Sequence, residues 1–348
     1  MSTRLNHAFR LRRRPDGALV KDDLEFVEEP VPEPGPGQAL VRTCYVSVDP
    51  TSRVWMSDYR GYMPPSPLNE VMRSVGVGQV VESRRDDLPE GTLVLGWPGW
   101  QEYCLTDEAS LIPLQFPFLP LPDPLPAPLT AFLGVLGHTG LTAYLGIDIG
   151  RPRTGETVVV SAAAGAVGSV AGQLAKVCGA RVVGITSGPT KCQHVTEELG
   201  FDACIDRHAP DWQKQLDAAT PDGIDMDFEN AGGEIMDHVL MRINVGARIV
   251  LCGMIDTYNQ FGPNTPGQRA IIQLVMRRAS MNGFLVLDHL DRFNEATAHL
   301  AGLLATGRLR YRETILDGLD QAPEAMAQIL NGNKVGKMLV HVADPIPR

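Results

Sequence analysis

The stretch VVVSAAAGAVGSVAGQLAKVCGARVVGITSGPTK, Val158 to Lys191, decides the fold. It reads as a strand, a glycine turn, a helix and a second strand. The run Val158-Val159-Val160 and the run over 181–186 have the length and β-branched content of buried strands. The turn, AAAGAVG, departs from G-x-G-x-x-G because Ala163 stands where the first glycine would be. Gly165 lets a backbone come close to a diphosphate, and Gly168 lets the following helix pack close to the sheet. The helix N-terminus adds unsatisfied N–H groups and a favourable field for phosphate. Two glycines alone are a weak signal, since such a pair often serves tight helix–sheet packing. Set between an apolar strand and a helix, and followed by further strand–helix units, they point to a dinucleotide.

The end of the second strand selects between dinucleotides. NAD sites commonly place Asp or Glu there, against the ribose hydroxyls. Here the chain runs Gly184-Ile185-Thr186-Ser187-Gly188 and then reaches Lys191. A 2′-phosphate would meet no carboxylate, while Ser187 offers a hydrogen bond and Lys191 a cation. Lys191 alone reads as a surface lysine; beside the absent acid it favours NADP.

Outward from this unit, strands are expected at 157–161, 181–186, 203–205, 224–228, 247–252 and 281–286, alternating with helical stretches. That rhythm predicts an α/β fold with a parallel sheet covered on both faces. Phe293, Ala296, Leu300, Leu303 and Leu304 predict a helix over 291–305. Residues 1–125 read instead as short β runs separated by Pro, Gly and Asp. The segment FPFLPLPDPLPAPL, 116–129, is too proline-rich for a regular helix and is expected to cross between domains. The tail returns to strands, YRETILDGLD and VGKMLVHVA, around a short helix, QAPEAMAQILNG. It is expected to complete the first domain, which gives the divisions 1–129, 130–305 and 306–348.

Composition bounds the partners. A chain of 348 residues is long enough for about two domains. A net charge of -10 gives no support to nucleic acid or anionic membrane as a partner. No apolar run approaches the ~20 residues of a membrane helix. The basic start, MSTRLNHAFRLRRRPDG, has no apolar core of a signal peptide and reads as an exposed terminal strand. The six cysteines, at 44, 104, 178, 192, 204 and 252, form no CxxC pair, which fits reduced thiols in a cytoplasmic protein.

Many ordered motifs over nearly the whole chain resemble the zinc-free medium-chain reductases. The resemblance is to the prostaglandin/alkenal reductase group and its bacterial curcumin-reductase branch. The motifs are VSVDPTSR, VMRSVGVGQVVES, VLGWPGWQEY, GLTAYLGIDIG, AAAGAVGSVAGQLAKVCGARVVGITSG, GIDMDFENAGG, IVLCGMIDTYN and GKMLV. The resemblance implies a Rossmann domain inserted into a β-rich, chaperonin-10-like substrate domain, and a homodimer. It also implies NADPH-dependent reduction of the carbon–carbon double bond of α,β-unsaturated ketones or aldehydes. By it, Gly165, Ala166, Val167 and Gly168 match the diphosphate turn, Lys191 the 2′-phosphate lysine and Asn230 a cofactor contact. Cys252, Gly253, Met254, Ile255, Asp256, Thr257 and Tyr258 match the loop beside the nicotinamide ribose. Phe284, Leu285 and Val286 match a segment near the nicotinamide.

The chain departs from its relatives at four places. Thr51 stands for a frequent tyrosine, His138-Thr139 for Met-Pro, Arg207 for a tyrosine near the adenosine phosphate, and Lys334 for a cofactor-contacting asparagine. Arg207 is expected to strengthen binding of a 2′-phosphate. Tyr258 is the first candidate for a catalytic phenol, and Tyr62, in RGYMPP, resembles a substrate-side tyrosine. Arg53 is a candidate support of the active-site loop, through catalysis or through a structural ion pair. Asn230 has an alternative as a cap of the helix after AGG.

No metal is expected. Cys44 has no following GHE, LNEVM occupies about that region, and a four-cysteine lobe is absent. His138 is expected near the domain junction and not as a ligand. A non-catalytic dinucleotide-binding scaffold and a quinone reductase are the alternative functions, since fold alone does not dictate chemistry.

Overall fold

The structure is a computed structural model that describes residues 4–106, 117–262 and 265–347. The first part is β-rich. Strands β1 (Leu5–Leu11) and β2 (Leu24–Pro30) form an antiparallel hairpin. Then come β3 (Ala39–Ser47), the short helix α1 (Thr51–Trp55), β4 (Gly76–Ser83), β5 (Leu93–Gly96), β6 (Tyr103–Leu105) and β7 (Leu119–Pro120).

The second part opens with α2 (His138–Gly150) and alternates thereafter: β8 (Thr157–Ser161), α3 (Ala166–Val177), β9 (Arg181–Thr186), α4 (Pro189–Gln193) and β10 (Ala203–Asp206). It continues with α5 (Trp212–Ala219), β11 (Ile224–Glu229), α6 (Gly233–Arg242), β12 (Ile243–Leu251), α7 (Gln273–Arg277), β13 (Ser280–Gly283) and α8 (Phe293–Ala305). All six strands β8–β13 pair parallel, in the order β10-β9-β8-β11-β12-β13.

Period-two alternation explains why these strands are apolar throughout. Val158 and Val160 face α2, α3 and α8, packing with Ala143, Val170, Leu174 and Leu300. Val159, Val183 and Ile185 face the other way, against Leu216, Ile235, Val239 and Leu240 of α5 and α6. With both faces covered, each fully buried side chain of this size contributes about 1.5–3 kcal/mol over an exposed one.

After α8 come β14 (Glu313–Asp317), α9 (Ala322–Leu330) and β15 (Lys337–His341). β15 lies parallel to β14 and antiparallel to β3, so the last strands join the first sheet in the order β14-β15-β3-β4-β5-β7, with β6 also on β3. Among the described residues of the proline-rich segment there is no α-helix; Leu119–Pro120 edges the sheet against β5, and at Leu129 a 3-10 helix begins that runs to Leu133. Phe116 lies outside the described residues.

Two expected boundaries differ by more than two residues. β12 starts earlier, at Ile243. β13 starts at Ser280 and stops at Gly283, so only the first half of the expected strand over 281–286 is strand. Phe284 and Leu285 leave the sheet and Val286 begins a 3-10 turn that runs to Arg292. Their apolar character serves a cleft wall, which periodicity does not distinguish from a buried strand.

Candidate active site

A sheet of this order has its switch point where neighbouring strands lead off in opposite directions, here between β8 and β11, and ligands bind beyond the strand carboxyl ends there. A cleft of about 490 Å³ lies at that place. Residues that follow β8, β9, β11 and β12 form one wall. Residues 48–51, Tyr62, Trp97, His138 and the turn between α9 and β15 also border it.

The glycine turn meets both demands read from its sequence. Gly165 is the N-cap of α3 and no side chain caps that end, so its N–H groups remain for a ligand. A Cβ at Gly168 would lie 2.5 Å from the Ala162 carbonyl oxygen, so the helix approaches the strand only with glycine there. The missing first glycine is compensated from the neighbouring strand. A Cβ at Gly184 would stand 2.8 Å from the Ala163 methyl, and the methyl fits because Gly184 has no side chain. Gly165, Ala166, Val167 and Gly168 all border the cleft.

Next to this turn are the candidate phosphate residues. Lys191 Nζ donates to Ser187 Oγ at 3.1 Å and also to the Gly332 carbonyl. Ser187 Oγ donates to the same carbonyl at 3.2 Å. Burial pushes the Lys191 ammonium below its ordinary pKa. Arg207 borders the cleft too, paired through Nη1 with Asp256 Oδ1 at 3.0 Å. Its charge is therefore shared with a carboxylate of the loop expected beside the nicotinamide ribose.

The nicotinamide-side candidates divide. Asn230, Cys252, Gly253, Ile255, Asp256, Tyr258, Phe284, Leu285 and Val286 border the cleft. Met254 and Thr257 do not: Thr257 is buried and its hydroxyl donates to the Met254 carbonyl at 2.8 Å, which closes the loop on itself. Asn230 does not cap α6, whose N-cap is Gly232; its Nδ2 donates to the Ser161 carbonyl at 2.8 Å. The backbone N–H groups of Ala231 and Gly232 donate to the Glu229 carboxylate instead, at 2.5 and 2.9 Å.

The Tyr258 hydroxyl accepts a long bond from the Met254 N–H, at 3.4 Å. Burial pushes its phenol up to about 12, so it stays protonated and able to donate at neutral pH. Across the cleft, Tyr62 shares a 2.5 Å hydrogen bond with Thr51, the residue that departs from the family tyrosine. Trp55 and Trp97, with ring centroids 5.8 Å apart, add an aromatic wall. Arg53 is buried and does not border the cleft. Its guanidinium donates to the carbonyls of Gly17 at 2.7 Å and Asn259 at 3.4 Å, tying the loop that carries Tyr258 to the N-terminal segment. Among the described residues no carboxylate forms an ion pair with it; carbonyls take that place.

Sequence reasoning missed Asp49 and Lys337. Lys337 Nζ donates to Asp49 Oδ1 at 3.0 Å, His138 Nε2 stands 3.3 Å from Oδ2, and Ser47 Oγ also donates to this carboxylate. Burial pushes the Asp49 pKa up, but Lys337, His138 and Ser47 outweigh it and hold the carboxyl well below the usual range. His138 is thus a cleft residue with an acidic partner. Lys334 also borders the cleft, with Nζ donating to the Gly336 carbonyl at 2.5 Å. Among the described residues no three His, Cys, Asp or Glu side chains are placed to hold a metal. No described helix is long and apolar enough to cross a membrane.

Known proteins share this arrangement. Residues 7–114 match the family described as N-terminal domain of oxidoreductase, and residues 166–302 the family described as zinc-binding dehydrogenase. The NADPH-dependent curcumin reductase of Escherichia coli (strain K12) is 40% identical over 344 residues, 97% of this chain and 97% of that protein. The 2-alkenal reductase (NADP(+)-dependent) of Nicotiana tabacum is 35% identical over 321 residues, 90% of this chain and 89% of that protein. The crystal structure of CurA in complex with NADPH from Vibrio vulnificus superposes with a TM-score of 0.91 at 39% identity, over 97% of this chain and 100% of that one. Likeness of this extent, on a sheet with its switch point under the glycine turn, is that of whole proteins and not of a shared domain. The chain belongs to the medium-chain dehydrogenase/reductase family, in the group of the curcumin and alkenal reductases.

Proposed function

We propose that this NADPH-dependent oxidoreductase reduces the carbon–carbon double bond of α,β-unsaturated ketones or aldehydes. The observation that carries the reading is one cleft bordered at once by the glycine turn, by the protonated Tyr258 phenol and by the Tyr62–Thr51 hydroxyl pair. NADPH supplies the hydride for the β-carbon of the substrate. The electron pair displaced from the double bond passes to the carbonyl oxygen, and the α-carbon then takes a proton.

The protein's part is to orient, to exclude water and to face the oxygen with a donor. Gly165 to Gly168 and Lys191 with Ser187 hold phosphates, and Arg207 joins them by exchanging Asp256 for the 2′-phosphate. Asn230 and the loop of Tyr258 border the nicotinamide ribose. Tyr258 and Tyr62 are the candidate donors to the developing oxygen charge, and Arg53 is a positioning residue for the Tyr258 loop. Trp55 and Trp97 offer flat apolar surface to a conjugated substrate.

The divisions 1–129, 130–305 and 306–348 belong to the same proposal, supported by the return of β15 to β3. So does a homodimer: Ile272, Val275 and Met276, 51%, 69% and 59% exposed, lie on α7 and its N-cap, the helix that leads into the edge strand β13.

The test is a panel of enones and enals with product analysis. Enone-dependent NADPH consumption with one saturated carbonyl formed per NADPH supports the proposal. NADPH binding without turnover of any member leaves a dinucleotide-binding module.

A further inference from the structure

Lys334 lies in the turn between α9 and β15, and that turn touches both phosphate-facing parts of the cleft. At one end the Gly332 carbonyl accepts Lys191 Nζ and Ser187 Oγ. At the other the Gly336 N–H donates to the Ala164 carbonyl at 2.8 Å, and Gly336 bridges to Gly165. Between these ties, a Cβ built on Gly165 would lie 3.7 Å from Lys334 Nζ. The amine therefore borders the open side of the glycine that admits a diphosphate.

Three charged groups face it from three elements: Lys337 on β15, Lys191 on α4, and Asp49 after β3. Two of the three are cations, and the one carboxylate is already held by Lys337 and His138. Gly336 supplies a single carbonyl acceptor. A second or third acceptor, which an ammonium with three donors needs when it leaves water, is what a phosphate would bring.

We propose that Lys334 is a proton-coupled phosphate ligand: partly neutral in the free protein, it takes up a proton as the dinucleotide enters, so that binding weakens as pH rises above neutrality. The inference rests on the reading of the cleft as an NADPH site. Burial first, then Lys337 and Lys191, push the Lys334 ammonium down to about 7, against a smaller upward pull from Asp49. A phosphate diester or monoester next to it reverses that balance, because opposite charge favours the ionised amine. The step is Lys–NH2 plus one solvent proton giving Lys–NH3+, with no other co-reactant.

Calorimetric titration of the full-length protein with NADPH at pH 8, in HEPES and in Tris, neither of them a phosphate that would compete for the site, reads the proton count from the difference in buffer ionisation heat. One pH unit above its midpoint the free amine is about one-tenth charged, so the wild type is expected to take up about 0.9 proton per NADPH. The dissociation constant is expected to rise about fivefold from pH 7 to pH 8. Lys334→Arg stays charged and is expected to bind NADPH with uptake near zero and no such pH dependence. Lys334→Gln is expected to bind more weakly at pH 7, also without uptake. Wild-type uptake below half a proton, or uptake unchanged in either variant, overturns the assignment. Absence of NADPH binding by the wild type overturns the cofactor reading itself, and the two failures are distinct in the same titration.

Discussion

Replacement of Lys191 by alanine tests the dinucleotide preference most directly. Only the 2′-phosphate distinguishes NADPH from NADH, so a lysine that holds it must affect one cofactor and spare the other. A charge-assisted hydrogen bond is worth roughly 1.5–3 kcal/mol, or about 10- to 150-fold in a dissociation constant. The free structure argues for the lower part of that range. Lys191 already donates to Ser187 and to the Gly332 carbonyl, so binding exchanges these partners and does not add to an unbonded amine. Arg207 also remains within the cleft, though it must first part from Asp256.

The expected result is a rise of about 10- to 30-fold in the NADPH dissociation constant and less than about twofold for NADH. Fluorescence titration of both cofactors at one pH and one ionic strength measures it; fixed salt matters because a partly exposed cation is screened. Equal losses for NADPH and NADH would show that the lysine supports the fold of the turn and reads no phosphate.

Tyr258→Phe keeps the ring and removes the hydroxyl; it is expected to bind NADPH as before and to lower kcat and kcat/KM together, while a rise in KM alone would assign the phenol to uniform binding. In wild type the phenol is pushed up to about 12, so no loss of activity from its ionisation is expected between pH 6 and 9. Lys337→Met removes the cation nearest Asp49 and is expected to lower unfolding stability in urea by up to about 3 kcal/mol, at the lower end of the cost of breaking a buried pair because His138 and Ser47 remain; an unchanged midpoint would refute the pairing. Asp227, buried on β11, has its carboxyl pushed well above the ordinary range by burial and by Glu229. An acid with a raised folded pKa binds more protons folded than unfolded, so it costs stability increasingly as pH climbs above the unfolded value of about 3.9. Asp227→Asn is therefore expected to gain on the wild type in urea from pH 4 towards pH 7, and a parallel pair of pH profiles would contradict it.

Most of the fold was legible because it rests on local patterns. Val158 to Val160 and Val182 to Ile185 announce buried parallel strands by composition, and Gly165 and Gly168 announce the turn between them. Ala163 looked like a defect in that turn only while the strand was read alone. Its methyl is accommodated by Gly184 one strand away, a relation that pairing creates and spacing along the chain does not contain. Phe284 and Leu285 show the opposite failure. They continue an apolar run beyond β13, and their sequence does not reveal that they border a cleft, with Phe284 also packed against the Leu141 and Leu145 side of α2.

The site was legible wherever one motif held it and illegible wherever the fold assembled it. Asp49, His138 and Lys337 stand on a loop after β3, at the start of α2 and at the start of β15. Nothing in their spacing predicts a contact, yet the pairing of β15 with β3 puts Lys337 3.0 Å from Asp49. The same pairing anchors the turn that carries Lys334, and through Gly336 that turn reaches the glycine loop of the other sheet. Lys334, which stands in GNKVGK where relatives have a cofactor-contacting asparagine, therefore ends beside the proposed diphosphate site, with Lys337, Lys191 and Asp49 as its charged neighbours. The two sheets meet at this turn, so the charge of Lys334 sits between the glycine turn of one sheet and the Asp49–Lys337 pair of the other.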